Sequence, residues 1–219
     1  MRKTLFYFIS VFFLSLSFFP LVNSLSTDLV DQLLVAAIFI LGIPHGAIDN
    51  ILMKRRTGWS SSRFYAFYLG LIGLNIALWF IYPALSLLLF LLVSAYHFGQ
   101  AQMSHYFEKK SLIHNLFYFS WGNIVLNFFF LFKRIEIQVY FQELESFSQM
   151  EFIFNQNLLT TFLLINISVF VICAITLALQ KKLSLLSISI EGIILLMVAT
   201  IAYLYHFVFG FALFFILLH

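Results

Sequence analysis

Ala84-Leu85-Ser86-Leu87-Leu88-Leu89-Phe90-Leu91-Leu92-Val93-Ser94-Ala95-Tyr96-His97-Phe98-Gly99-Gln100-Ala101-Gln102-Met103-Ser104 runs for 21 residues without an aspartate, glutamate, lysine or arginine. As a helix it is about 30 Å long, the thickness of a bilayer's hydrocarbon core. Pro83 opens it and leaves room only for a tight turn after the preceding apolar run, 64–82. Outward from this pair, comparable runs lie at 4–22, 29–48, 114–132, 158–179, 184–203 and 204–219. Together they predict an all-α fold, a polytopic transmembrane helix bundle of about 7–8 spans with the last incomplete. The longest connection, 133–157, mixes Glu136, Glu143, Glu145 and Glu151 with aromatics and reads as an interfacial or amphipathic excursion.

Composition agrees. The 219 residues are 63% hydrophobic and only 10% charged, with a mean hydropathy of +1.01. A soluble domain carries about a quarter charged residues, so a soluble globular enzyme, a disordered chain and a nucleic-acid binder are excluded. Thirty phenylalanines and three prolines suit helices that satisfy their own backbone groups in lipid. The single Cys173 lies in an apolar run and allows no intrachain disulfide. One membrane domain, 29–219, is expected behind an N-terminal hydrophobic helix, 1–28. That helix reads as a retained anchor, or as a signal peptide cleaved near Val22-Asn23-Ser24.

Lysine and arginine stay on the cytoplasmic side of a membrane. With the N-terminus inside, the inner loops hold Arg2, Lys3, Lys54, Arg55, Arg56, Arg63, Lys109, Lys110, Lys181 and Lys182, and the outer loops only Lys133 and Arg134. The expected location is the cell membrane, multi-pass, N-terminus cytoplasmic.

Polar groups at membrane depth are costly and therefore informative. His45 lies 14 residues after Asp31, His97 lies 14 after Pro83, and His219 lies 13 after His206. Each sits about 20 Å in from the outer boundary on a span running inward. Three histidines of three helices at one depth point to metal binding. Pro44 and Gly46 flank His45, and Gly99 follows His97, so the backbone can break or approach closely there. Asp49, four residues after His45, either orients that imidazole or caps the helix end beside Arg55. Gln100 and Gln102 are neutral candidates for the same orienting role near His97. An all-imidazole site suits Fe, Zn, Cu or Ni. His105 and His114 bracket the basic loop around Lys109 and read as solvated interfacial residues, and His206 as a residue opening the last helix. Asp31 and Glu191 are placed near helix ends.

Gly42-Ile43-Pro44-His45-Gly46-Ala47-Ile48-Asp49, Tyr96-His97-Phe98-Gly99-Gln100-Ala101 and Phe211-Ala212-Leu213-Phe214-Phe215-Ile216-Leu217-Leu218-His219 occur in this order. Together they resemble the Brp/Blh family of integral-membrane β-carotene 15,15′-dioxygenases, from about residue 29 onward. The resemblance implies cleavage of the central double bond of β-carotene by O₂ to two retinal molecules at a non-haem Fe(2+). It implies His45, His97 and His219 as metal ligands, a lipid bilayer as the setting, and a functional link to a retinal-binding rhodopsin. The family pattern continues past the third motif to a fourth histidine one turn later, and commonly has aspartate where Gln102 stands. The chain stops at His219, so a truncated product is expected. The rival readings are a bis-histidine haem or other metal-binding membrane protein, a truncated inactive homologue, and a transporter or scaffold.

Overall fold

The computed structural model describes residues 2–22, 32–34, 36, 60–107, 111–142 and 153–218. Among the described residues the chain is helical throughout, with no strand. The helices are α1 (Arg2–Val22), α2 (Ser61–Ile81), α3 (Pro83–Met103), α4 (Leu112–Phe132), α5 (Arg134–Gln142), α6 (Gln156–Leu179), α7 (Leu185–Leu204) and α8 (Phe207–Leu213). A 3₁₀ turn, Ser104–Tyr106, extends α3, and a π-helical segment, Phe214–Leu218, extends α8.

Five of these are long and apolar enough to cross a membrane: α2, α3 with its 3₁₀ turn, α4, α6 and α7. Two more runs are helical with shorter apolar stretches, Phe6–Ser17 in α1 and Phe207–Ile216 at the end. Of the eighth run, 29–48, only Gln32–Leu34 and Ala36 are described, and they are helical. The 133–157 connection contains the short α5, whose first turn carries Glu136.

Local chemistry sets the boundaries. Ser60 and Ser184 accept from the third backbone N–H beyond them, and Asn155 from Asn157 and Leu158. Each supplies an oxygen to an amide that has no partner within the helix. Pro83 takes the first turn of α3, where its missing N–H costs nothing. After α6 the chain reverses through Lys181 in the left-handed region (φ 57°), and the N–H groups of Lys182 and Leu183 return to Leu177 O. Such a closure caps the carbonyls that end a helix.

Helix α4 is the centre of the bundle, packed by α3, α6 and α7, while α2 lies outside against α3. The α3–α4 contact is backbone to backbone. A Cβ at Gly99 would collide with the Tyr118 carbonyl, and one at Gly122 with the Ala95 carbonyl. Small residues spaced four apart allow such approach in membrane helices. On another side Phe117 stacks on Phe170 of α6, with centroids 4.8 Å apart and an interplanar angle of 9°. Two anchors hold the periphery. The Glu136 carboxylate, paired with Lys133 at 3.4 Å, accepts from the Phe207 amide at 2.7 Å and fixes the start of α8. The Tyr205 hydroxyl donates to the Ser15 carbonyl, and Phe19 meets the same ring edge-on, seating α1.

Candidate functional site

His97 is half-buried in the C-terminal half of α3. It lies two residues from Gly99, hence on roughly the opposite side of the helix from the α4 contact. Its neighbour Phe98 is buried and meets Phe214 edge-on at 5.2 Å, with Phe211 and Phe215 each at 6.4 Å. Phe129 of α4 closes the cluster at 5.6 Å from Phe211. The structure thus brings the second histidine motif against the segment that leads to the third. His45, Asp49 and His219 lie outside the described residues. No group of three His, Cys, Asp or Glu side chains positioned to hold a metal occurs among the described residues.

Two hydrogen-bond systems flank His97. On one flank Gln100 Nε2 donates to the Tyr96 hydroxyl at 3.4 Å, which donates to Asn115 Oδ1 of α4 at 3.1 Å. On the other, Gln102 Nε2 lies 3.3 and 3.2 Å from the two carboxylate oxygens of Glu191, and the Tyr106 hydroxyl donates to Glu191 Oε1 at 2.9 Å. Glu191 is not at the edge of its helix. It is the seventh residue of α7 and 1% exposed. The Trp121 indole also faces this carboxylate, and its N–H makes no hydrogen bond among the described residues. The sequence carries the signal for Glu191, a carboxylate between Ile190 and Gly192-Ile193-Ile194, but only the fold reveals donors on α3 to receive it.

His114 also departs from its expected place. It is 4% exposed rather than solvated, stacks on Phe107 with centroids 4.1 Å apart, and neither ring nitrogen has a hydrogen-bond partner among the described residues. Because α4 starts at Leu112, the face bearing His114, Tyr118 and Trp121 turns into the core. His105 is exposed, with its ring 3.9 Å from that of Tyr106, and His206 stands at the start of α8.

Among the described residues the bundle is all-helical, with five helices long and apolar enough to cross a membrane, which defines the class as a helical membrane protein. The family model described as "Beta-carotene 15,15'-dioxygenase" matches residues 36–219, and the chain belongs to that family. The chain is also 32% identical, over 81 residues, to a protein of the uncultured marine bacterium 66A03 named "Beta-carotene 15,15'-dioxygenase". That alignment spans 35% of this chain and 30% of the relative. No solved structure matches the chain.

Proposed function

We propose that the protein cleaves the central double bond of β-carotene with O₂ to give two retinal molecules. The observation that carries this reading is the family match over residues 36–219. The contact of Phe98 with Phe211, Phe214 and Phe215, which joins two of the histidine motifs, supports it.

The overall conversion replaces one carbon–carbon double bond by two carbonyls, and both oxygen atoms of O₂ end in the products. It needs no reductant and no net proton. What the protein must supply is therefore a place for the polyene and a site for oxygen. His45, His97 and His219 would hold a ferrous iron, which when bound supplies activation of O₂. The donor chemistry suits that metal. Half-buried His97 offers an imidazole nitrogen beside the Phe98 ring, whereas Mg and Ca take oxygen ligands.

The substrate is a hydrocarbon without a polar handle, so apolar contact must hold it. Phe98, in ring contact with His97, is backed by Phe211, Phe214 and Phe215; Phe98 and Phe214 are buried and the other two half-buried, and the group would keep water from the reacting bond. The carotene would enter sideways from the bilayer, in which the N-terminus and the basic loops face the cytoplasm. Retinal leaves as a membrane-soluble aldehyde, available to a retinal-binding rhodopsin.

Expression in β-carotene-accumulating cells tests the assignment by bleaching and by retinal in the extract. Retinal is expected from the chain and not from His97→Ala, with comparable amounts of both proteins in the membrane. No retinal from the parent chain overturns the activity. Retinal from His97→Ala removes His97 from the ligand set.

A further inference from the structure

Glu191 is a buried carboxylate that the cleavage reaction does not use, because that reaction needs no acid or base. Its two hydrogen-bonding partners, Gln102 and Tyr106, both belong to the C-terminal end of the His97 helix. Gln102 and Tyr106 meet the same carboxylate and so share one flank, whereas at about 100° per α-helical residue Tyr96 and Gln100 share another and His97 projects away from the flank of Gln102. Helix α3 is thereby tied by polar bonds to two different neighbours, Asn115 of α4 and Glu191 of α7. Between the two ties lies the close contact of Gly99 with Tyr118.

Inside a membrane lipid tails are as apolar as side chains, so α3 is held against α4 by close van der Waals contact at Gly99 rather than by a hydrophobic drive. Hydrogen bonds add direction to that contact. A rotation of α3 by about 20° would carry the His97 imidazole about 2 Å sideways, against the about 0.5 Å tolerance of a working metal or catalytic constellation. We propose that Glu191, acting through Gln102 and Tyr106, is the positioning residue that sets the rotation of α3 and so the direction in which His97 projects. The consequence for activity rests on the functional reading above, whereas the geometric statement does not.

The test uses the full chain in lipid vesicles, with a nitroxide on the thiol of His97→Cys and Cys173→Ala removing the native thiol. Line shape and accessibility to O₂ against a water-soluble nickel chelate report where position 97 points. Glu191→Leu is expected to change that accessibility ratio about twofold or more, while Glu191→Gln, which keeps an acceptor for Tyr106, preserves it. An unchanged ratio and line shape in Glu191→Leu overturns the proposal. Should Glu191→Leu fail to fold, the pair Gln102→Leu and Tyr106→Phe is read in the same way, and an unchanged signal there overturns it too.

A second arm measures retinal with His97 intact. Glu191→Leu should lower formation about tenfold or more, and Glu191→Gln by less than about threefold. Loss of retinal in Glu191→Leu with an unmoved label overturns the positioning role, since Glu191 would then act by another route. A parent chain that forms no retinal sinks the functional reading alone, and the label arm still decides the position of His97.

Discussion

Helices α2 and α4 have the same length, 21 residues, and both are apolar enough to cross a membrane, yet 6% of the span is buried in α2 and 61% in α4. Both clear the hydropathy of a membrane span, and what marks the difference is side-chain chemistry. Beyond its first turn α2 carries a single strongly polar side chain, Asn75, among exposed Leu69, Leu71, Ile72, Leu74 and Ile76. Helix α4 carries His114, Asn115, Ser120, Asn123 and Asn127, four of them fully buried. Hydrophobicity pays nothing for helix association in lipid, so the helix that belongs at the centre is marked by groups that lipid cannot satisfy.

The glycines offer the strongest way to break this contrast. Gly99 and Gly122 are where the α3 and α4 backbones touch, whereas a Cβ at Gly70 or Gly73 of α2 would meet nothing within 4 Å among the described residues. Gly99→Leu or Gly122→Leu must push two backbones apart and should cost about 3 kcal/mol or more. Gly70→Leu and Gly73→Leu should stay within about 0.5 kcal/mol. The fraction that remains monodisperse after heating in detergent measures both. Equal damage from Gly73→Leu would show that α2 has a tight helical partner, and the contrast with α4 would fall.

Much of this arrangement was legible in the sequence. Seven of the eight apolar runs are helices with ends within a few residues of those expected, because Pro83, Ser60 and Ser184 punctuate a hydropathy signal that each helix carries by itself. Gly99 beside His97 announced a close approach of backbones. Its partner, Tyr118, could not be read, since the facing helix is a tertiary fact. The same limit explains Glu191 and His114. The basic loop beside it predicted solvent for His114, and Glu191 was placed only near a helix end; packing between helices buries both. Glu191 found donors 89 and 85 residues away in the chain, Gln102 and Tyr106. The matched depth of His45, His97 and His219 stays an expectation, as two of the three lie outside the described residues.

His114 sharpens the comparison from the α4 side, with a smaller effect. A buried imidazole whose two nitrogens have no partner among the described residues is a net burden, because each group gave up water for no hydrogen bond there. His114→Phe keeps the stack on Phe107 and removes that burden, so it should stabilise the protein by about 1 kcal/mol in the same heating assay. Destabilisation instead would mean that the imidazole is held by a partner, and that α4's polar face is satisfied more fully than its hydrogen bonds indicate.

The smallest effect is expected where α2 has its own polar tie. Ser86 Oγ of α3 lies 2.9 Å from the Asn75 carbonyl and 3.1 Å from Asn75 Oδ1, fully buried at the turn between the two helices. Pro83 and the Tyr82 amide, which donates to Leu78 O at 2.7 Å, already fix that turn. The hydroxyl therefore adds to a geometry that local backbone bonding secures. Interhelical hydrogen bonds in membranes average about 0.6 kcal/mol, because the separated helices also find partners. Ser86→Ala should cost no more than that, and retinal formation should be unchanged, since the turn lies three to four helical turns from His97. A loss comparable with Gly99→Leu would place α2 among the helices that hold the site, and polar content would no longer tell the peripheral helix from the central one.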